Sequence, residues 1–208
     1  MNVFVLCTGR SGSSGFIKAC QHITNYSASH ESLVDKFGDE RFQFPENHIE
    51  ADNRLSWQLG QLEQNYGKAA FYVHLKRDKQ AVVQSYMNRF LLPKSMIYAY
   101  ANGIKKQPPE DLSKAEKSEV CLDYVEAVNT NIEYFLKDKP QQITIDLDDI
   151  ESGFKKFWKD INAKGDLELA LKEFDKKHNK SASKKIYWRY SLKHLGLKFL
   201  MMVKSFFQ

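Results

Sequence analysis

Short apolar runs that stop abruptly at polar or glycine-rich junctions organise this chain. Val3-Phe4-Val5-Leu6 is a continuous apolar run close to the start. It suits a central parallel strand buried on both faces. The pattern predicts a strand at 2–7, a Gly/Ser loop at 8–13 and a helix at 13–24. A second run, Ala69 to Leu75, ends at Lys76-Arg77-Asp78, and Lys79 to Phe90 follows with Ala81, Val82 and Tyr86 at helical spacing. A third run, Gln142 to Leu147, ends at Asp148-Asp149, and Phe154, Phe157 and Trp158 then mark another helix. Three strands, each followed by a helix, predict an α/β fold with a mainly parallel central sheet flanked by helices. Ligands of such sheets bind beyond the carboxyl ends of the strands, and the junctions at 8–14, 76–78 and 148–149 all fall there. Helical insertions are expected at 49–64, 94–105 and 113–138, the last two separated by Pro108-Pro109.

The C-terminal region changes character. Residues 176–189 are rich in basic side chains, and 191–208 reads as an amphipathic, largely apolar helix ending in Phe206-Phe207. The expected organisation is one domain over 1–190 followed by that helix, which packs on the domain, forms a dimer contact or lies on a membrane surface through Lys193, Lys198 and Lys204.

Composition adds limits. A chain of 208 residues carries one substantial core, and 42% hydrophobic with 27% charged residues is ordinary for a soluble globular protein. The net charge of +5 fits an anionic ligand and equally a solvated basic surface. No zinc spacing or dense basic stripe marks a nucleic-acid binder. Cys7, Cys20 and Cys121 are three thiols without paired spacing, which points to a reducing compartment. Met1 leads straight into the first strand without a basic leader. The expected location is the cytoplasm, with membrane-peripheral attachment through the tail as a variant.

Candidate chemistry concentrates in Cys7-Thr8-Gly9-Arg10-Ser11-Gly12-Ser13-Ser14-Gly15. A loop of small residues between a buried strand and a helix start exposes backbone N–H groups, and the helix terminus favours an anion. Gly9 and Gly12 permit close backbone approach, while Ser13 and Ser14 can cap the helix and donate hydroxyls to an anionic oxygen. A Walker A loop would end in Gly-Lys followed by Ser or Thr. This loop has no such lysine, and its cation, Arg10, comes early.

The strand followed by Gly9-Arg10-Ser11-Gly12-Ser13-Ser14 resembles the 5′-phosphosulfate loop of the PAPS-dependent sulfotransferases. Phe71-Tyr72-Val73-His74-Leu75-Lys76-Arg77-Asp78 followed by Ser85 is similar to their 3′-phosphate site, where an arginine ends a strand and a serine eight residues later lies on the next helix. Ile145-Asp146-Leu147-Asp148-Asp149 looks like a late structural strand of the same family. The resemblance covers 1–30, 69–90 and 140–160. It implies a three-layer P-loop NTPase-like fold of sulfotransferase type and transfer of a sulfuryl group from PAPS, leaving PAP, without a metal. The implied donor-site residues are Gly9, Arg10, Ser11, Gly12, Ser13, Ser14, Arg77 and Ser85, with Arg10 also stabilising the transferred group.

Family members use a His or a Glu to accept the acceptor's proton, and some branches carry a Glu shortly after the first helix. Glu31 is the candidate here and His30 its rival; in the plainer reading, Glu31 only opens a helix and neither is the base. Two departures stand out. Gly15 occupies the place where cytosolic members often carry an adenine-stacking tryptophan, and their C-terminal glycine-rich basic motif is missing. Both point toward a bacterial-type or carbohydrate-type enzyme whose acceptor is a glycan, glycolipid or small metabolite. His178-Asn179-Lys180-Ser181 and Lys184-Lys185 either cover the nucleotide or form a solvated face. Arg54 and Trp57 either bind an acceptor or serve as a surface ion-pair partner and a core residue. The other readings are a catalytically silent PAP-binding or membrane-associated scaffold, and a P-loop phosphotransferase.

Overall fold

A computed structural model describes residues 1–176. The basic stretch, the 191–208 helix and the domain limit at 190 lie outside the described residues. Among the described residues, five parallel strands form the sheet: β1 (Val3–Leu6), β2 (Ser27–His30), β3 (His48–Ala51), β4 (Phe71–Lys76) and β5 (Gln142–Asp146), in the order β2-β3-β1-β4-β5. β1 lies at the centre and all four of its residues are fully buried. Its alternation feeds two cores. Val3 and Val5 join Phe16, Phe154 and Phe157 on one side, while Phe4 and Leu6 join Tyr72, Tyr86 and Tyr124 on the other.

Helix α1 (Ser13–Cys20) leads from β1 toward β2. α2 (Leu59–Asn65) leads from β3 to β4, and α3 (Lys79–Met87) follows β4. α4 (Met96–Ala99), continued by a π turn over Tyr100–Ile104, and the long α5 (Lys114–Leu136) lead to β5. α6 (Ile150–Asp160) and α7 (Leu167–Leu171) complete the layers. Ser113 and Glu116 start α5 with a reciprocal capping box, and Asp78 starts α3 by accepting from the Ala81 N–H at 2.8 Å. The chain leaves β1 toward β2 and β3, then crosses back to β4 on the other side. β1 is therefore the point where the strand order reverses, and the crevice beyond its carboxyl end is the expected ligand position.

Several sequence expectations need correction. The helix expected over 13–24 ends at Cys20, and Gly12, not Ser13 or Ser14, occupies its N-cap. The helical insertion over 49–64 is instead β3, a 3₁₀ turn over Asn53–Trp57 and the short α2. Two strands went unpredicted. β2 reads Ser-Ala-Ser-His, an edge strand without apolar alternation, and β3 places two ionisable residues in the interior. The insertion over 94–105 contains only four α-helical residues before the π turn. Among the described residues, no helix is long and apolar enough to cross a membrane.

Candidate functional site

The loop after β1 turns through three left-handed residues, Gly9 at φ 74°, Arg10 at φ 61° and Gly12 at φ 87°. Arginine in that region is strained, a cost found where surrounding contacts over-determine the backbone. Those contacts are present. The Tyr86 and Tyr124 hydroxyls donate to the Thr8 carbonyl at 2.6 and 2.8 Å, and the Ser56 hydroxyl donates to the Cys7 carbonyl at 3.2 Å. A Cβ at Gly9 would meet the Tyr86 Oη at 2.6 Å, and one at Gly12 would meet Leu147 Cδ1 at 2.7 Å. The positive φ favours glycine at both positions, and at Gly9 the Tyr86 hydroxyl, held on the Thr8 carbonyl, also leaves no room for a Cβ. Ser11 is buried, its hydroxyl bonding within the loop to the Gly9 carbonyl and Thr8 Oγ1. It holds the loop's shape and does not face the cleft. Burial pushes the Cys7 thiol up to about 11, so it stays neutral beneath the loop.

The second motif closes on the first. Arg77, at the end of β4, donates from Nη1 to the Arg10 carbonyl at 3.0 Å. Ser85, on α3, accepts from Arg10 Nε at 3.0 Å. Arg77 and Ser85 therefore lie within bonding distance of one loop residue. Arg89, just beyond α3, is a further cation of the cleft, and sequence reasoning missed it. Its Nε is buried without a hydrogen-bond partner among the described residues. Burial, then the Arg89 charge, push the Arg10 guanidinium below its ordinary value; nearby Tyr86 opposes this and Arg77 adds to it. Arg89 and Arg77 thus each repel the Arg10 guanidinium, a cost that an anion beside Arg10 would offset. The four-residue step from Ser85 to Arg89 was the only sequence signal available.

The opposite wall comes from β2 and the 3₁₀ turn. β2 runs parallel to β1's sheet neighbours and ends beside the loop, with His30 Nε2 3.1 Å from Ser13 Oγ and 3.4 Å from Ser14 Oγ. Glu31 follows at φ 55° after the strand, so it opens no helix. Its Oε1 lies 3.1 Å from Arg54 Nη1. Arg54 is thus an ion-pair partner inside the cleft. Trp57 is 37% exposed and packs against Tyr100 and Tyr124, at the edge of the core rather than within it. Gly9, Arg10, Ser13, Ser14, His30 and Glu31 share with Asn53, Arg54 and Arg89 one open cleft of about 640 Å³. That volume lies in the range of small-molecule sites.

No protein-family model and no curated protein matches the chain. Solved structures do. The sulfotransferase domain from the curacin biosynthetic pathway aligns with TM-score 0.54 at 14% identity, over 80% of this chain and 75% of that one. Mouse sulfotransferase SULT7A1 complexed with PAP aligns with TM-score 0.56 at 12% identity, over 84% of this chain and 63% of that one. The chain has the sulfotransferase fold. In this sulfotransferase-fold chain the loop after β1, the β4–α3 junction and the end of β2 meet over the carboxyl ends of the sheet. The fold so placed agrees with the three-layer architecture that the loop and strand motifs implied.

Proposed function

We propose that this chain is a PAPS-dependent sulfotransferase acting on a hydroxyl or amine of a glycan, glycolipid or small metabolite. The observation that carries the reading is the convergence of Arg77 and Ser85 on Arg10 from sequence positions 67 and 75 residues away. A nucleotide with phosphate groups at both ends of its ribose requires two anion sites set close together; the loop that borders the cleft, and Arg77 and Ser85 bonded to Arg10 outside the cleft's lining, support that reading. The mouse enzyme's complex with PAP supports the same donor class. The residues fit it: Arg77 and Ser85 suit a terminal phosphate, with Arg89 as an added cation, while Arg10, the loop amides and the Ser13 and Ser14 hydroxyls suit the phosphosulfate.

In the reaction, the acceptor oxygen or nitrogen forms a bond to sulfur as the bond from sulfur to the bridging oxygen breaks. The electron pair leaves with PAP. By analogy with phosphoryl transfer, charge gathers on the bridging and equatorial oxygens of a loose transition state, where Arg10 and the loop meet it. Glu31 takes the acceptor's proton. His30 has its Nε2 on the loop hydroxyls, so it orients Ser13 and Ser14 toward the donor while Glu31 carries the base role.

Calorimetric titration with PAP and with ATP-Mg, for wild type and Arg77→Ala, tests the donor. The expected result is micromolar PAP binding that weakens at least tenfold in the variant, with weak ATP binding. A folded wild type that ignores PAP would overturn the reading. Tight PAP binding without turnover on any acceptor would instead make the chain a nucleotide-binding scaffold.

A further inference from the structure

β3 carries a feature that the proposed reaction does not use directly. Glu50 is fully buried and His48 nearly so, both on the same face of an interior strand. Glu50 Oε1 accepts from the Ser32 N–H at 2.9 Å and Oε2 from the Ser32 hydroxyl at 2.5 Å. His48 Nε2 lies 3.0 Å from the same Oε2, and its Nδ1 is 2.7 Å from Ser27 Oγ. Burying a carboxylate costs several kcal/mol, and apolar residues of similar volume often serve a core equally well or better. Stability alone is thus a weak reason for a carboxylate at this position.

The bonds of Glu50 converge on the residue after Glu31. Glu31 is left-handed, at φ 55°, and its own N–H donates to the Ala51 carbonyl at 3.1 Å. Two residues beyond Glu50, Asp52 is also buried. It accepts from the Arg54 N–H at 2.9 Å, and Arg54 pairs with the Glu31 carboxylate at 3.1 Å. The stretch from Glu50 to Arg54 therefore holds Glu31 at its amide, at its side chain and at the next residue. Without the Glu50 bonds, the Ser32 amide loses its partner and the strained turn carrying Glu31 loses one of its three restraints.

We infer that Glu50 is the positioning residue of the proton acceptor: a buried carboxylate that fixes the left-handed turn at Glu31 and so aims its side chain into the cleft. The inference rests on the assignment of Glu31 as base. Misplacing a reacting group by about 1 Å costs on the order of a hundredfold in rate. Glu50→Gln keeps the shape of the side chain and weakens its grip on Ser32.

The test is single-turnover conversion of PAPS to PAP with N-acetylglucosamine as probe acceptor, measured beside PAP affinity, for wild type, Glu31→Gln, Glu50→Gln and the double variant. Glu50→Gln is expected to slow conversion about 10- to 100-fold while PAP affinity stays within about twofold and the acceptor concentration giving half-maximal rate barely moves. The double variant is expected to be no slower than Glu31→Gln alone, since one residue acts through the other. Equal slowing by Glu50→Gln in both backgrounds, or none in either, would overturn the inference. A second variant, His48→Leu with Glu50→Leu, guards against misfolding. It is expected to keep wild-type thermal stability and PAP affinity and still turn over slowly; wild-type turnover would overturn the inference. If Glu31→Gln is as fast as wild type, the base assignment fails and this inference with it, while PAP binding by the same protein leaves the donor reading standing.

Discussion

The Thr8 carbonyl is the point where two helices hold the loop after β1. Thr8 is 2% exposed and its oxygen accepts from two tyrosines on different helices, Tyr86 on α3 and Tyr124 on α5. Burial pushes the Tyr124 hydroxyl up to about 12 and raises Tyr86 well above its usual value. Both therefore remain O–H donors across the physiological range. Each single Phe substitution leaves the carbonyl one partner and should cost about 0.5–1.5 kcal/mol. The double substitution orphans a buried acceptor, which adds about 1–3 kcal/mol beyond the sum. Urea unfolding of the three variants checks this; a double effect equal to the sum would mean that the carbonyl finds another partner. Neither tyrosine stands out in the sequence, where Tyr86 reads only as an apolar helical position. The loop itself is legible because glycine and serine between a strand and a helix have few other uses. Arg89 and Glu50 are not, because a lone charged residue carries no signal until its neighbours in space are known.

Elements were readable in proportion to how apolar they are. β1, β4 and β5 announce themselves as runs ending at polar junctions, and their helices follow. β2 and β3 do not, because their polar residues satisfy one another, Ser27 of β2 with His48 of β3, and His48 with Glu50, which also holds Ser32 just after β2. A strand stabilised by its own polar network leaves no hydrophobic period to read. The opposite case is α6, which Phe154, Phe157 and Trp158 mark as a helix in the sequence. Gly153 lets that helix approach β5 so closely that a Cβ would lie 2.5 Å from Ile145 Cγ2. In an exposed helix, Gly→Ala gains about 0.8–1 kcal/mol. Here the added methyl must displace a buried β-branched side chain, and overpacking of that kind costs about 1–3 kcal/mol. Gly153→Ala is therefore expected to lower the urea midpoint. An equal or higher midpoint would show that the α6–β5 spacing relaxes freely.

At the scale of the whole molecule, the cleft draws on both cores at once. The loop leaves β1, whose side chains alternate between the two clusters, and its neighbours come from α3 on one side and β2 on the other. An anion bound there contacts segments packed into both clusters, so in a domain that unfolds as one unit its binding free energy adds to the stability of the whole. At a concentration one hundred times its dissociation constant, PAP should stabilise the native state by about 2.7 kcal/mol. For a domain of this size, that corresponds to a rise of about 5–10 °C in the thermal midpoint. The same concentration of PAP should shift Arg77→Ala far less, and added salt should shrink the wild-type shift because the guanidinium groups of an open cleft are screened. A salt-insensitive shift would place the nucleotide's contacts away from Arg10, Arg77 and Arg89. A shift retained in full by Arg77→Ala would mean that the junction after β4 holds the loop's shape, through the Arg10 carbonyl, without itself meeting the ligand.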